Sequence, residues 1–189
     1  YYIPTSLRSV TITGGEIPAY AFRNCTMLTS ITLPETATTI GNYAFSYCYS
    51  LTRVTIPDSV TSIGEGTFAG CSSLISVTIG NSVTNIGEYA FGYCRSLKSV
   101  NIPESVKKIG CYAFYDCSQL NTVTILDGVT HIDSQAFRGC RELEDIQLGN
   151  SVEEIGYYTF ENCSSLTIYC EAESKPSGWS FYWNYSNRP

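Results

Sequence analysis

Cysteine is the residue type in this 189-residue chain that could most readily do chemistry, as a metal ligand, a disulfide or a nucleophile. Seven of the nine cysteines recur every 23 residues: Cys25, Cys48, Cys71, Cys94, Cys117, Cys140 and Cys163. Zinc sites need short spacings such as C-x-x-C, and the chain has no such pair and a single histidine. Free cysteine is commonly buried as a small apolar side chain. We therefore expect an internal column of cysteines, all nine reduced, and no bound metal.

Two other features could be mistaken for catalytic or cofactor sites. The only histidine, His131, lies at a position that other repeats fill with Ser62, Asn85 and Lys108. Nothing in the sequence supplies it with the oriented serine and acid of a triad. The run Gly64-x-Gly66-x-x-Ala69 formally matches a dinucleotide fingerprint, but no long helix is predicted after it. We predict no enzyme activity and no cofactor.

Charge and hydropathy exclude further classes. The formal net charge is −6 and the pI is near 4.7, which argues against nucleic-acid binding because that requires a basic face. No apolar run reaches the roughly 18 residues that a transmembrane helix needs, so we expect no membrane insertion. The chain begins at Tyr1 without a signal peptide, and we expect a mature or excised fragment.

A 23-residue repeat must position these side chains, and it is clearest from Leu51 to Ser73. Leu51, Val54 and Ile56 alternate with polar residues and predict a short strand with one inward face. Val60 and Ile63 predict a second short stretch, and Gly64 predicts a turn where a Cβ would be unfavourable. One coil cannot bury enough apolar surface to fold alone. The repeat therefore predicts stacked coils with parallel strands.

The second half of the repeat carries a family resemblance. Its pattern is Ile40-Gly41-x-x-Ala44-Phe45-x-x-Cys48, with copies at 63–71, 86–94, 109–117 and 155–163. This pattern resembles the BspA-like, or Treponema-type, leucine-rich repeats. Together the repeat and the resemblance predict a β-rich α/β repeat protein: a right-handed leucine-rich-repeat solenoid with a parallel sheet of short strands and one coil per 23 residues. The resemblance also implies a bacterial protein that is secreted or exposed at the cell surface and functions in adhesion or protein recognition.

Both ends depart from the repeat. We predict a solenoid over residues 1–166, with a short first coil, and a C-terminal capping segment over 167–189. The capping segment is rich in aromatic residues, namely Trp179, Phe181, Tyr182, Trp183 and Tyr185. We interpret them as a cover for the last coil, and an aromatic ligand platform is the alternative. Arrays of this kind usually continue further, so we expect this chain to end inside its cap.

Three sets of side chains are candidates for partner binding. The strand face offers Arg53, Thr55, Thr78, Asn101, Thr124 and Gln147, although threonine ladders also suit any exposed sheet. A stripe of tyrosine offers Tyr47, Tyr49 and Tyr93, although half-buried packing between coils would explain it as well. A basic group could steer a charged partner or be an ordinary solvated surface, and comprises Arg95, Lys98, Lys107 and Lys108.

The sequence is best interpreted as a non-catalytic binding scaffold, extracellular or at the cell surface. We expect a monomer whose partner is a host or extracellular-matrix protein rather than a glycan. Two alternatives stay open. One is a carbohydrate-binding module that uses the tyrosine stripe, and the other is a structural spacer within a larger surface protein.

Overall fold

The computed structural model describes residues 3–125, 127–170 and 175–185. It shows a parallel β-solenoid in which corresponding positions of the central coils lie 23 residues apart, as Val54 and Val77 do in paired strands. At the N-terminal end the paired residues Val10 and Ile31 are only 21 apart, as a short first coil predicts. The predicted repeat is therefore confirmed as one coil of a stacked structure. Each coil has three sides, which are a long strand, a short strand and a run of turns.

The long strands form the first side. Each has three or four residues, with β-branched or aliphatic side chains pointing inward and polar side chains pointing outward, which is the alternation of a half-buried strand. In chain order they are β1 (Ser9–Thr11), β3 (Ser30–Thr32), β5 (Arg53–Thr55), β7 (Ser76–Thr78), β9 (Ser99–Ile102), β11 (Thr122–Ile125), β13 (Asp145–Leu148) and β15 (Thr167–Cys170). One parallel sheet contains six of these long strands, namely β5, β7, β9, β11, β13 and β15, while β1 and β3 form a separate pair.

The short strands form the second side as one uninterrupted parallel sheet. Each has two residues, of which the second is buried. They are β2 (Glu16–Ile17), β4 (Thr39–Ile40), β6 (Ser62–Ile63), β8 (Asn85–Ile86), β10 (Lys108–Ile109), β12 (His131–Ile132), β14 (Glu154–Ile155) and β16 (Gly178–Trp179).

The third side is a run of tight turns. Alternate amides donate to the next coil, as Tyr43 N–H does to Glu65 O at 2.7 Å, and the amides between them close local turns. Two positions per coil, four residues apart, have a positive φ, for example Tyr43 at 55° and Tyr47 at 60°. Left-handed residues that recur after every four positions of this side prevent a right-handed helix from forming there. The described residues contain no helix, so the α/β part of the predicted class is wrong, and the handedness of the coil stays a prediction.

The core consists of aligned columns of identical side chains. The phenylalanine rings from Phe22 to Phe160 stack at 5.2–5.6 Å between centroids. Beside them the seven repeat cysteines are buried, as predicted, and no disulfide joins any of the nine cysteines. In six coils the thiol donates to the phenylalanine carbonyl of the preceding coil at 3.1–3.3 Å, as Cys71 Sγ does to Phe45 O.

The turn glycine is required by the close approach of the neighbouring coil. At Gly87 an added Cβ would lie 2.7 Å from the carbonyl carbon of Gly64 and 2.8 Å from Ile63 O. Both atoms belong to backbone, so neither can move aside alone. The expectation that a Cβ is unfavourable at the turn glycine is confirmed at Gly87, although one later coil has Asp133 in the same column.

Both sheets continue past residue 166, through β15 and β16. Trp179 in β16 is buried, its ring contacts Trp183 edge-on, and its indole N–H donates to Val152 O at 3.1 Å. Trp183 in turn meets the last phenylalanine of the stack, Phe160, edge-on at 6.1 Å. These tryptophans cover the final coil, while Phe181 stays 73% exposed. The division at residue 166 remains a prediction.

Candidate binding surfaces

The strand face, made of the outward side chains of the long strands, is polar and shallow. Its six candidate residues are all exposed: Arg53, Thr55, Thr78, Asn101, Thr124 and Gln147. Where the sheet is interrupted between β3 and β5, an open depression of about 400 Å³ forms against Glu35. A second depression, of about 500 Å³, lies beside Asp145 and Tyr169. The structure gathers these residues on one face, but small hydroxyl side chains dominate that face.

The run of turns carries a different surface, which we call the tyrosine edge. It comprises nine tyrosines that lie at, or within two residues of, the positive-φ positions: Tyr20, Tyr43, Tyr47, Tyr49, Tyr89, Tyr93, Tyr112, Tyr115 and Tyr158. The turns place the alanine and phenylalanine of the repeat in the core and the tyrosines outside it. Rings in neighbouring coils then stack in parallel, at 5.4 Å for Tyr20 and Tyr43 and at 4.5 Å for Tyr89 and Tyr112.

Glycine divides the tyrosine edge into two clusters. The coil between them has Gly66 and Gly70 at its positive-φ positions. The rings of Tyr43 and Tyr47 lean into the space that side chains would occupy there, and a Cβ on Gly70 would lie 2.6 Å from the Tyr47 ring. The N-terminal cluster comprises Tyr20, Tyr43, Tyr47 and Tyr49, and the C-terminal cluster comprises Tyr89, Tyr93, Tyr112 and Tyr115.

The three predicted tyrosines are thus distributed between the clusters. Tyr47 and Tyr49 lie together in the N-terminal cluster, with ring centroids 6.1 Å apart. Tyr93 belongs to the C-terminal cluster, where it meets Tyr115 edge-on at 5.2 Å. All three are at least one-third exposed. Half-buried packing describes Tyr89 and Tyr112 better than these three.

Arginines complete both clusters, and the sequence reasoning overlooked two of them. The guanidinium of Arg23 lies 5.6–5.8 Å from the ring centroids of Tyr20, Tyr43 and Tyr47. Arg138 lies 5.8 Å from Tyr115. Both follow the repeat phenylalanine directly, where other coils have Ser46, Ala69 and Gly92. The available signal was a cation in a column where the other five coils, including those with Tyr115 and Glu161, have none.

The predicted basic group does not form one free patch. Arg95 is paired with Asp116 at 2.8 Å and Lys108 with Asp133 at 2.9 Å, while Lys107 donates to Gly128 O at 3.3 Å. Lys98 is exposed beside a shallow polar depression that also contains Glu142 and Glu144. Three of the four bases are therefore already engaged within the chain.

Several phenols of the tyrosine edge and thiols of the core have a raised pKa. A hydrogen bond to Glu65, followed by burial, raises the pKa of Tyr43 to about 12. Burial raises the pKa of Tyr89 and Tyr93, and it raises the pKa of the Cys71 and Cys94 thiols well above their ordinary value. The phenols and thiols are therefore neutral at pH 7. His131 contacts the Thr130 hydroxyl at 2.8 Å and Glu154 at 3.6 Å.

Neither a metal cluster nor a membrane-crossing helix is found within the described ranges. No three His, Cys, Asp or Glu side chains there are grouped so that they could hold an ion. No helix in the same part of the chain has the length and apolar character needed to cross a bilayer.

Comparisons with known proteins agree with the repeat architecture. The family model described as BspA type leucine rich repeat region, in six copies, matches residues 1–110 and 84–175. The Treponema pallidum leucine-rich repeat protein TpLRR is 34% identical, with a TM-score of 0.78 over 84% of this chain and 78% of that protein. No curated protein matches the chain.

Two longer bacterial proteins share the same architecture. A leucine-rich cell surface protein from Faecalibacterium prausnitzii A2-165 is 36% identical, with a TM-score of 0.83 over 90% of this chain. A leucine-rich repeat protein from Bacteroides ovatus is 27% identical, with a TM-score of 0.73 over 94% of this chain. This chain spans 49% and 53% of their respective lengths.

Proposed function

Because this chain belongs to the BspA-type leucine-rich repeat family, we propose that it is a non-catalytic scaffold that binds another protein through its tyrosine edge. The observation that carries the proposal is the pair of exposed tyrosine clusters, each with arginine against its rings. Tyrosine and arginine are the residue types enriched among the side chains that dominate protein interfaces. We further propose that it acts as a monomer.

The rigidity of the turns supports this choice of surface. The positive-φ tyrosines of both clusters donate their amides to the next coil, as Tyr47 does to Ala69 O at 2.7 Å and Tyr93 does to Tyr115 O at 2.6 Å. The rings are also held by their stacked neighbours. A preorganised aromatic surface loses little conformational entropy on binding, so more of its contact energy remains as affinity. The strand face offers small hydroxyl groups instead, which rarely dominate an interface.

The geometry of the rings favours a protein over a glycan. Sugars bind aromatic platforms through exposed ring faces. Here each ring of the pairs Tyr20–Tyr43 and Tyr89–Tyr112 has one face covered by its neighbour, with interplanar angles of 6–7°. Tyr47, Tyr49 and Tyr93 lie outside these two pairs and are at least one-third exposed, and each combines an apolar ring with a hydroxyl group, which suits contacts with a protein surface.

We also propose that the protein of which this chain is part is secreted or exposed at the cell surface. The similar Faecalibacterium prausnitzii protein is described as a cell surface protein, and it is 36% identical over most of this chain. A host or extracellular-matrix protein is the partner class that this location favours.

The test is a binding screen of the chain against arrayed extracellular proteins and a glycan array, at 50 and 300 mM salt. The variant Tyr47→Ala/Tyr49→Ala truncates the tyrosine edge, and Thr55→Ala/Thr78→Ala truncates the strand face as a matched control. We expect a protein hit whose affinity falls at least tenfold in the tyrosine variant and less than twofold in the threonine variant. A hit confined to glycans, or one lost only in the threonine variant, would overturn the proposal.

A further inference from the structure

We infer that Arg23 is the anchor of the N-terminal tyrosine cluster and binds a single carboxylate on an acidic segment of the partner protein. The inference rests on the proposed function and names the chemistry that the cluster recognises. It depends on an exposed guanidinium that is held in place by rings but has no carboxylate of its own.

Three tyrosine rings fix the position of Arg23. Its guanidinium carbon lies 5.6 Å from the centroid of Tyr20, 5.8 Å from Tyr43 and 5.7 Å from Tyr47. These distances are within the range of cation–π attraction. The rings contact the guanidinium but accept none of its planar N–H donors in the way a carboxylate would. Those donors therefore remain available for a bidentate hydrogen bond from an exposed side chain.

Comparison with the equivalent arginine five coils along the solenoid shows what Arg23 lacks. Arg138 occupies the same position in its coil and also stacks against a tyrosine ring. Its Nε lies 2.6 Å from Glu161, which is the corresponding residue of the next coil. For Arg23 the corresponding residue is Ser46, which is buried and hydrogen-bonded to Tyr43 O. Arg138 is therefore paired with a carboxylate of this chain, whereas the equivalent position next to Arg23 has a serine.

No acid in the described ranges takes that role. Glu65 is the acid nearest to the cluster in the hydrogen-bond network, but its carboxylate accepts the hydroxyl of Tyr43. Within the described residues, no Asp or Glu lies within ion-pair distance of Arg23, whereas Arg95 and Arg138 each have one. Among the described residues, Arg23 is the one cation that lies over the tyrosine rings of its cluster.

A single guanidinium suits a single carboxylate. The planar fork of arginine matches the two oxygens of Asp or Glu, and ring stacking reduces the entropy lost on binding. A sulfated glycan carries many negative charges and is bound by groups of bases, which this cluster does not supply. An acidic protein segment is therefore the ligand that the observed charge and geometry fit.

A phage-displayed library of random 12-residue peptides, selected on the full chain, tests the inference. The selected peptides are measured against wild type, Arg23→Gln, Arg23→Lys and the matched control Arg141→Gln, which removes an exposed arginine that belongs to neither tyrosine cluster. Dextran sulfate is measured in parallel. Thermal melts verify that each variant folds, and Arg23→Lys keeps the charge while losing the bidentate fork.

We expect peptides enriched in Asp or Glu that bind at least tenfold more weakly to Arg23→Gln and severalfold more weakly to Arg23→Lys. Arg141→Gln should change affinity less than twofold. Replacing the acidic residue of the peptide by the corresponding amide should not weaken its binding to Arg23→Gln any further. Peptides that bind equally well to Arg23→Gln would overturn the inference and leave the proposed function standing. Two outcomes would overturn both the inference and the proposed function. One is binding of dextran sulfate without binding of any peptide or arrayed protein, and the other is no binding of any of them.

Discussion

At the scale of single residues, the repeat cysteines act as packing groups with a weak donor. A phenylalanine carbonyl such as Phe68 O accepts the amide of Cys71 in its own coil at 3.2 Å and the thiol of Cys94 in the next at 3.2 Å. Alanine would fill less of the column and could not donate, while serine would bring a more strongly hydrated hydroxyl into the core. This explains why one residue type recurs at period 23 without any disulfide.

The buried thiols predict a loss of stability at alkaline pH. Burial raises the pKa of Cys94 well above its ordinary value in the folded chain, whereas the unfolded chain keeps that ordinary value. Below about pH 8.5 the thiol is protonated in both states, so it adds no pH dependence. Above that value only the unfolded chain loses the proton, and the free energy of unfolding falls with pH by up to about 1.4 kcal/mol per buried thiol per unit.

Urea denaturation of wild type and Cys94→Ala at pH 8, 9 and 10 measures this effect. In the variant, the free energy of unfolding should fall less steeply with pH, by the contribution of one buried thiol. Cys170→Ala, which removes an exposed thiol, is the control and should change the slope less. A slope that is the same in all three proteins would show that the column thiols do not set the alkaline limit.

At the scale of the element, the α part of the predicted fold class was wrong. In the described residues, the segment from Ala44 to Cys48 and its counterparts in other coils form turns and not a helix. The spacing of Ala44, Phe45 and Cys48 is compatible with a helix as well as with turns, and hydrophobic period alone does not separate the two. The available signal was the column four residues after the tyrosines. It contains Asn24, Gly70, Asp116, Gly139 and Asn162, which are the residue types that most readily adopt a positive φ.

Substitution at Asn24 tests the left-handed turn directly. Its φ is 62° and its side chain is exposed, so few contacts are lost when it is replaced. Asn24→Gly should leave the free energy of unfolding nearly unchanged. Asn24→Ala should lower it by about 1 kcal/mol relative to glycine, because alanine pays for the left-handed backbone. Equal stability of the two variants in urea would contradict the turn geometry.

Close approach of coils predicts a larger effect at Gly87. Gly87→Ala places a methyl group against the backbone of the preceding coil and should destabilise the protein by about 2 kcal/mol or more. Gly14→Ala is the matched control, because nothing lies within 4 Å of the Cβ that it would add. Its expected change is within about 0.5 kcal/mol in the same denaturation measurement. A tolerated alanine at Gly87 would mean that the coils are not packed at this distance.

At the scale of the whole molecule, the stacking order and the core columns could be predicted from the period, because each coil repeats the same inward residues. The tyrosine clusters could not, because they depend on which rings neighbouring coils bring together. Gly66 and Gly70 divide the edge only because Tyr43 and Tyr47 lean over them. The interruption of the long-strand sheet between β3 and β5 is likewise not visible in the repeat pattern.

The capping tryptophan tests whether the solenoid depends on its covered end. Trp179→Ala should destabilise the chain by about 4 kcal/mol, because it opens a cavity beside Trp183 and leaves Val152 O without its indole donor. Hydrogen exchange should accelerate first in β14, which pairs with β16. Phe181→Ala, at a 73% exposed side chain, should change stability far less. Uniform acceleration along all coils would contradict an end-specific role.

The most direct test of the central claim is hydroxyl-radical footprinting of the chain alone and bound to a protein from the binding screen. It measures by mass spectrometry which side chains the partner protects, and Tyr169 on the strand face is a built-in control because it is 56% exposed. We predict that oxidation of Tyr20, Tyr47 and Tyr49 falls on binding while that of Tyr169 is unchanged. Protection of Tyr169 with undiminished oxidation of the N-terminal cluster would contradict the account and assign recognition to the strand face.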